Sequence, residues 1–268
     1  LAQKWHLVFP LVAGILYAVA AMGYKAARVH GVSAEWLTIL ANAAIGVAFL
    51  GLVDWHAQPF LPDPLWPSFL LGFLFFLGQA FTVLSLSRGD VSVATPVLGS
   101  KVVMVAVLLA GLAHEAISWH IWLASILTVA GIVLLGMPEK GVPHHHVWRT
   151  VMLSLFSALA FALFDVMTQT WSPRLGFARF VPLGMLLSAV FSLGLLALMT
   201  DRRLVLSRPA RIYLVAGIGL MTLQGLLLIR AIGLYGDAAA ANIVYGTRAI
   251  WSVLAVWAVG RWFGNSEL

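Results

Sequence analysis

The 268-residue sequence predicts an all-α integral membrane protein, folded as an inverted repeat of two five-helix halves, and three observations carry that prediction. Hydrophobic residues make up 62% of the chain and charged residues only 10%, whereas soluble domains run near 25% charged. The apolar residues come in runs of the roughly 20 residues that a helix needs to cross about 30 Å of hydrocarbon. An offset of 147 residues also carries Lys101 onto Arg248, Gly78 onto Gly225, Gly89 onto Gly236, Asp90 onto Asp237, Ala94 onto Ala241, Gly99 onto Gly246 and Ser100 onto Thr247.

Nine spans follow from the hydropathy pattern, near residues 7–24, 35–53, 66–86, 91–112, 119–137, 148–169, 178–199, 210–232 and 238–260. The first carries Tyr17, Ala21 and Tyr24 at helical spacing and ends at Lys25. The second is closed by the segment Pro59-Phe60-Leu61-Pro62-Asp63-Pro64. Arg88-Gly89-Asp90 separates the third from the fourth, with Asp90 placed to cap the fourth, and Gly236-Asp237 opens the ninth in the same way. The fifth stops at the run Pro138 to Pro143, Trp171-Ser172-Pro173 divides the sixth from the seventh, and Asp201 to Pro209 precedes the eighth. None of these connections is long enough to hold a soluble domain.

Five spans fit one repeat, and an odd number makes the second copy enter the membrane from the opposite side. Two full repeats would run past Leu268, where the counterpart of the 119–137 span should begin. A ten-helix parent is therefore expected, with nine helices present: five in residues 1–143 and four in 144–268. Position 1 is Leu rather than Met, so the natural start is expected to be missing. Residues 1–24 lack the small-residue cleavage site of a signal peptide.

The chain has no cysteine, which rules out disulfides and Cys-based metal or redox chemistry. Its formal charge of +6 lies mostly in short loops. No basic run alternates with exposed aromatics, so nucleic acid is not an expected partner. The loop triplet His144-His145-His146 lacks helical ligand spacing and a carboxylate, and is read as structural. Neither a metal nor a cofactor is expected.

The residues that stand out are charges in apolar runs. Lys101 and Arg248 each lie midway through a span, too deep to snorkel easily. A cation at mid-bilayer costs about 3 kcal/mol on insertion scales, so such a residue is by default a candidate site. Asn242, Tyr245, Arg248 and Ser252 share about a third of one helical circumference, and Ser92, Thr95 and Ser100 accompany Lys101 beside Pro96. The only clearly intramembrane carboxylate is Asp165, with Ser154, Ser157 and Thr168 on much the same face. Two cations against one acid leave a positive surplus suited to an anionic group on a ligand. The alternative is local salt bridging, and Asp165 is read either as a proton carrier or as the fixed counter-ion of one cation. The candidate substrate-binding set is Lys101, Arg248, Tyr245, Asn242, Ser100, Thr247 and Tyr17. Asn42, Gln79 and Gln224 are read as interhelical hydrogen-bonding residues.

The two five-helix halves resemble the drug/metabolite transporter superfamily, in particular its EamA-type members. In this sequence Gly-Asp leads into an apolar helix that ends in Ala113-His114-Glu115. Residues Ser85-Leu86-Ser87-Arg88-Gly89-Asp90-Val91-Ser92-Val93-Ala94-Thr95-Pro96-Val97 are similar to the family's connection between its third and fourth helices. Where the family often has Gly-Glu after the fourth helix, Glu115 is retained and His114 replaces the Gly; Gly264-Asn265-Ser266-Glu267 is a looser match in the second half. In the sugar-phosphate branch, basic residues on the fourth and ninth helices bind the substrate phosphate, a role the resemblance carries onto Lys101 and Arg248. That branch has two adjacent basic residues on the ninth helix, and this chain has Thr247-Arg248. The small cation exporters use an acidic residue in their first helix, and none stands there in this chain.

The inverted repeat and the surplus intramembrane charge together lead to the expectation of a secondary transporter that moves a small anionic or zwitterionic metabolite by alternating access, in a bacterial inner (plasma) membrane. Expected partners are the substrate and the lipid bilayer, with a homodimer compatible with the sequence. An intramembrane enzyme acting on a lipid or headgroup is the runner-up, although neither HExxH nor paired intramembrane carboxylates occur; a non-transporting assembly factor is the third reading. Orientation stays open. Alternate loops place Lys25, Arg28, Arg88, Lys140, Arg149, Arg202, Arg203, Arg208, Arg211 and Arg261 on one side against Lys4, Arg174 and Arg179 on the other. That bias puts the N-terminus outside, whereas the resemblance implies a cytoplasmic N-terminus.

Overall fold

The computed structural model describes residues 5–56, 65–88, 91–135, 147–199, 202–204 and 206–259, and every regular element among them is helical. A 3-10 turn at Trp5–Leu7 leads into α1 (Val8–Val29), followed by α2 (Ala34–Leu50), α3 (Trp66–Arg88), α4 (Val91–Gly99), α5 (Lys101–Leu112) and α6 (Trp119–Leu135). The second half of the chain forms α7 (Val147–Leu175), α8 (Phe177–Ser192) with a 3-10 extension Leu193–Leu198, α9 (Arg208–Tyr235), α10 (Ala238–Gly246) and α11 (Arg248–Val259). Among the described residues seven helical stretches are long and apolar enough to cross a membrane: Trp5–Val29, Trp66–Leu86, Val93–Leu112, Val147–Leu175, Phe177–Leu198, Arg208–Tyr235 and Ala238–Ala258. Ala34–Leu50 and Trp119–Leu134 are shorter apolar helices. The chain is thus a polytopic α-helical membrane protein.

Local chemistry sets the helix ends. The side chain of Ser33 accepts from Trp36 N at 3.2 Å, that of Ser207 from Ala210 N at 3.3 Å, and that of Asp237 from Ala240 N at 3.3 Å. Each satisfies a donor that the first helical turn leaves free. Gly236 closes α9 in the left-handed region at φ 64°, where a side chain is rarely tolerated. Asp90, the Pro59–Pro64 loop, the His144–His146 triplet and the Gly264–Glu267 stretch lie outside the described residues.

One expectation is corrected here. Trp171-Ser172-Pro173 is not a loop: α7 runs through it to Leu175. A proline in the last turn removes one donor without stopping the helix, and the chain turns instead at Gly176, at φ 79°. The fourth and ninth spans are helical as expected, over Val93–Leu112 and Ala238–Ala258, with a one-residue irregularity inside each. α4 gives way to α5 at Ser100, and α10 to α11 at Thr247.

Lipid supplies no hydrophobic drive between helices, so close packing of small residues has to hold them together. α1 runs along α9, where a Cβ on Gly23 would stand 3.2 Å from Gly217 Cα. α3 crosses α8 so closely that a Cβ on Gly72 would collide with the carbonyl of Gly184. Along α3 and α7 a hydroxyl ladder adds hydrogen bonds, Ser85 to Ser154 at 2.6 Å and Thr82 to Ser157 at 2.7 Å. Outward-facing Ile126, Leu127, Ile212 and Val215 are more than half exposed, as a lipid-facing surface should be. Exposed Trp5, Trp66, Trp119, Trp148 and Trp257 stand near helix ends, where an interfacial belt belongs.

The 147-residue offset reappears in the elements. It carries the bounds of α4 (Val91–Gly99) onto those of α10 (Ala238–Gly246), and the start of α5 at Lys101 onto that of α11 at Arg248. Packing partners exchange in the same sense: α1 lies on α9, α10 and α11, while α7 lies on α3, α4 and α5.

Candidate functional site

The two helix breaks are built alike. At the first, the N–H of Ser100 donates to Val97 O at 3.1 Å and its hydroxyl to the same carbonyl at 2.6 Å. At the second, Thr247 N–H donates to Val244 O at 3.1 Å and the Thr247 hydroxyl to that carbonyl at 2.6 Å. A bond reaching back three residues tightens the helix locally, and a Ser or Thr hydroxyl competing for the backbone favours the irregularity. Thr247 Oγ1 also accepts from the indole N–H of Trp251 at 3.2 Å. Both hydroxyl protons, predicted as ligands for substrate, are therefore spent on backbone carbonyls. The cation follows directly after each break.

Lys101, at the head of α5, points at α7. Its Nζ stands 2.7 Å from Asp165 Oδ2, with the two side chains 13% and 3% exposed. The same carboxylate oxygen accepts from Asn242 Nδ2 at 2.6 Å, and that amide also donates to Ala238 O at 2.9 Å. Asp165 is thus the partner of Lys101 rather than of Arg248. Among the described residues no second acid reaches Lys101. The ring of Phe161 lies 5.6 Å from the ammonium.

Arg248, at the head of α11, is held differently. Its guanidinium carbon sits 4.4 Å from the ring centre of Tyr245 and 5.2 Å from that of Tyr17, and no acid lies within salt-bridge reach among the described residues. Tyr17 meets Tyr245 edge to face at 6.0 Å, and the Tyr245 hydroxyl donates to Gln224 Oε1 at 3.0 Å. Cation–π contact of this kind contributes about 0.5–2 kcal/mol, which orients a guanidinium without neutralising it. α10 joins the two cations' surroundings, carrying Tyr245 beneath the Arg248 guanidinium and Asn242 on the Asp165 carboxylate. The site therefore holds two cations and one carboxylate, with Arg248 carrying the unmatched charge. Tyr17 belongs to this wall rather than to an interfacial belt, and Gln224 makes the interhelical bond expected of it.

Other expectations fare differently. Asn42 is 1% exposed, yet neither its Nδ2 nor its Oδ1 has a hydrogen-bond partner among the described residues, contrary to the interhelical bond predicted for it. Ser154 and Ser157 serve the ladder to α3, and Thr168 Oγ1 donates to Phe164 O at 2.8 Å. Gln169 was missed. Its Oε1 accepts from Ala238 N and its Nε2 donates to Glu115 Oε1, both at 2.7 Å. The available signal was spacing, since Gln169 stands one helical turn beyond Asp165. Among the described residues no group of three His, Cys, Asp or Glu is placed to hold a metal ion.

Comparison with known proteins adds the following. The family model described as the EamA-like transporter family matches residues 4–137, half of the chain. A solved structure titled "Crystal structure of protein" is similar over 98% of this chain and 90% of its own, with a TM-score of 0.79 at 17% identity, a likeness of fold. Among curated proteins none matches.

Proposed function

As the chain belongs to the EamA-like transporter family, we propose that it is a secondary transporter moving a small anionic or zwitterionic metabolite by alternating access, with Arg248 receiving the anionic group. The observation that carries this reading is the contrast between the two cations. Asp165 meets the charge of Lys101 at 2.7 Å, whereas Arg248 is framed by tyrosine rings and meets no acid among the described residues. An uncompensated cation at mid-membrane is costly to keep, and a ligand anion offsets that cost. Lys101 supports the field, and Asp165 with Asn242 sets how much of it is felt.

The architecture in this proposal is two halves, residues 1–143 and 144–268, related as an inverted repeat with nine passes present. The matched bounds of α4 and α10, the matched breaks before Lys101 and Arg248, and the exchanged packing of α1 and α7 support it. Inverted-repeat transporters place the substrate near mid-membrane, at interrupted helices between the repeats. Ser100 and Thr247 stand at such interruptions.

The test is thermal stabilisation of the purified protein over a panel of small metabolites, run beside Arg248→Gln. A ligand bound only to the folded state raises stability by about 2.7 kcal/mol at a hundredfold excess over its dissociation constant. The reading predicts that anionic members of the panel stabilise the parent and not the variant. A panel without a hit would favour a non-transporting role.

A further inference from the structure

Glu115, Gln169 and the first turn of α10 form a continuous polar tie that the site does not use. Glu115 lies exposed in the connection between α5 and α6, Gln169 is 5% exposed on α7, and Ala238 begins α10. The two bonds, each 2.7 Å, therefore link the α5–α6 connection to α7 and α7 to α10. His114, just before Glu115, sits at φ 53°, a left-handed conformation uncommon for a residue with a side chain.

α10 is a short, discrete segment of nine residues, Ala238–Gly246, bounded by left-handed Gly236 at one end and by the Thr247 break at the other. Its first turn, Ala238 to Ala241, is all alanine, while Asn242 and Tyr245 further along it are held by Asp165 and Gln224. The same helix carries Asn242 and Tyr245 and leads directly into Arg248, so a swing of α10 changes the wall of the site. On α7 the residues Asp165 and Gln169 are one turn apart and meet Asn242 and Ala238, also one turn apart. Met22 occupies the position 147 residues before Gln169, and its thioether has no N–H to donate. The Glu115 end of the tie is exposed and exchanges with water, whereas the bond from Ala238 N to Gln169 is buried; the net strength of each bond is modest, so the tie is reversible.

We infer that Glu115 and Gln169 latch α10 shut at the membrane face where it begins, and that releasing this latch opens the Lys101–Arg248 centre to that face. The inference rests on the transporter reading of that centre, but its test needs no substrate. Since the chain has no cysteine, Ala241→Cys places a single thiol beside Asn242, and its modification by a membrane-impermeant methanethiosulfonate reports opening. Gln169→Leu, which removes both bonds, should speed modification about tenfold, the population change expected from two hydrogen bonds of ordinary net strength. Glu115→Ala should raise the rate severalfold, whereas Glu115→Gln keeps an acceptor and should stay within about twofold of the parent. Adding Arg248→Gln should leave all these ratios unchanged, which separates the latch from the substrate site. Unchanged rates in Gln169→Leu and Glu115→Ala would overturn the latch. So would an equal increase in all three variants, the mark of general loosening. If Gln169→Leu does not fold, Glu115→Ala against Glu115→Gln decides alone.

Discussion

Replacing Asp165 by Asn keeps the shape of the side chain and removes its charge, which leaves the Lys101 ammonium in a site where its own side chain is 13% exposed. Asn242 loses a charged acceptor at 2.6 Å at the same time, though it keeps Ala238 O at 2.9 Å. Breaking one side of a buried ion pair costs about 3–5 kcal/mol, because the surviving charge is stranded. A chain of this size loses about 2–4 °C of melting temperature per kcal/mol, so the apparent Tm in detergent should fall on the order of 10 °C. Replacing both partners, with Lys101→Met and Asp165→Asn together, removes the stranded charge and should recover most of that loss. The assay is a thermal-unfolding cycle over the parent, both single variants and the double variant, which isolates the coupling between the two residues. A shift below about 2 °C for Asp165→Asn, or a double variant as unstable as that single one, would refute the claim that Asp165 neutralises Lys101.

Further outcomes follow from the same geometry. Tyr245→Phe loses the bond to Gln224 but keeps the ring over Arg248, so thermal unfolding should shift by about 0.6–1.5 kcal/mol, whereas Tyr245→Leu should also weaken metabolite binding in the stabilisation assay. Asn42→Leu removes an amide with no partner at either end and should leave stability unchanged or raise it by about 1 kcal/mol, read as a Tm at or above that of the parent.

The helices were legible because hydropathy and length alone decide them, and all nine apolar runs fold as helices at or near the expected bounds. What escaped were features with weak chemical marks. The irregularity at Thr247 has φ −62° and ψ −10°, close to helical values, and is marked by the backbone and side-chain bonds that Thr247 makes to Val244 O. Pro173 read as punctuation because a proline in the final turn and one in a loop look the same in sequence. Within the site, charge was the legible part: Lys101, Arg248 and Asp165 announce themselves by their cost in an apolar run. Pairing was not, since nothing in the sequence tells which cation Asp165 faces until α5, α7 and α11 are packed. The neutral partners were hardest. Gln169 and Asn42 look equivalent as lone amides, yet one bridges two segments and the other bonds to nothing among the described residues.

The central claim is that Arg248, and not Lys101, receives the substrate's anionic group. Transport of a stabilising metabolite into proteoliposomes by Arg248→Gln and Arg248→Lys, with Lys101 and Asp165 intact, tests it most directly. The account predicts that Arg248→Gln inserts and folds but does not transport, while Arg248→Lys, which keeps the charge, retains part of the rate. Undiminished transport by Arg248→Gln would contradict it.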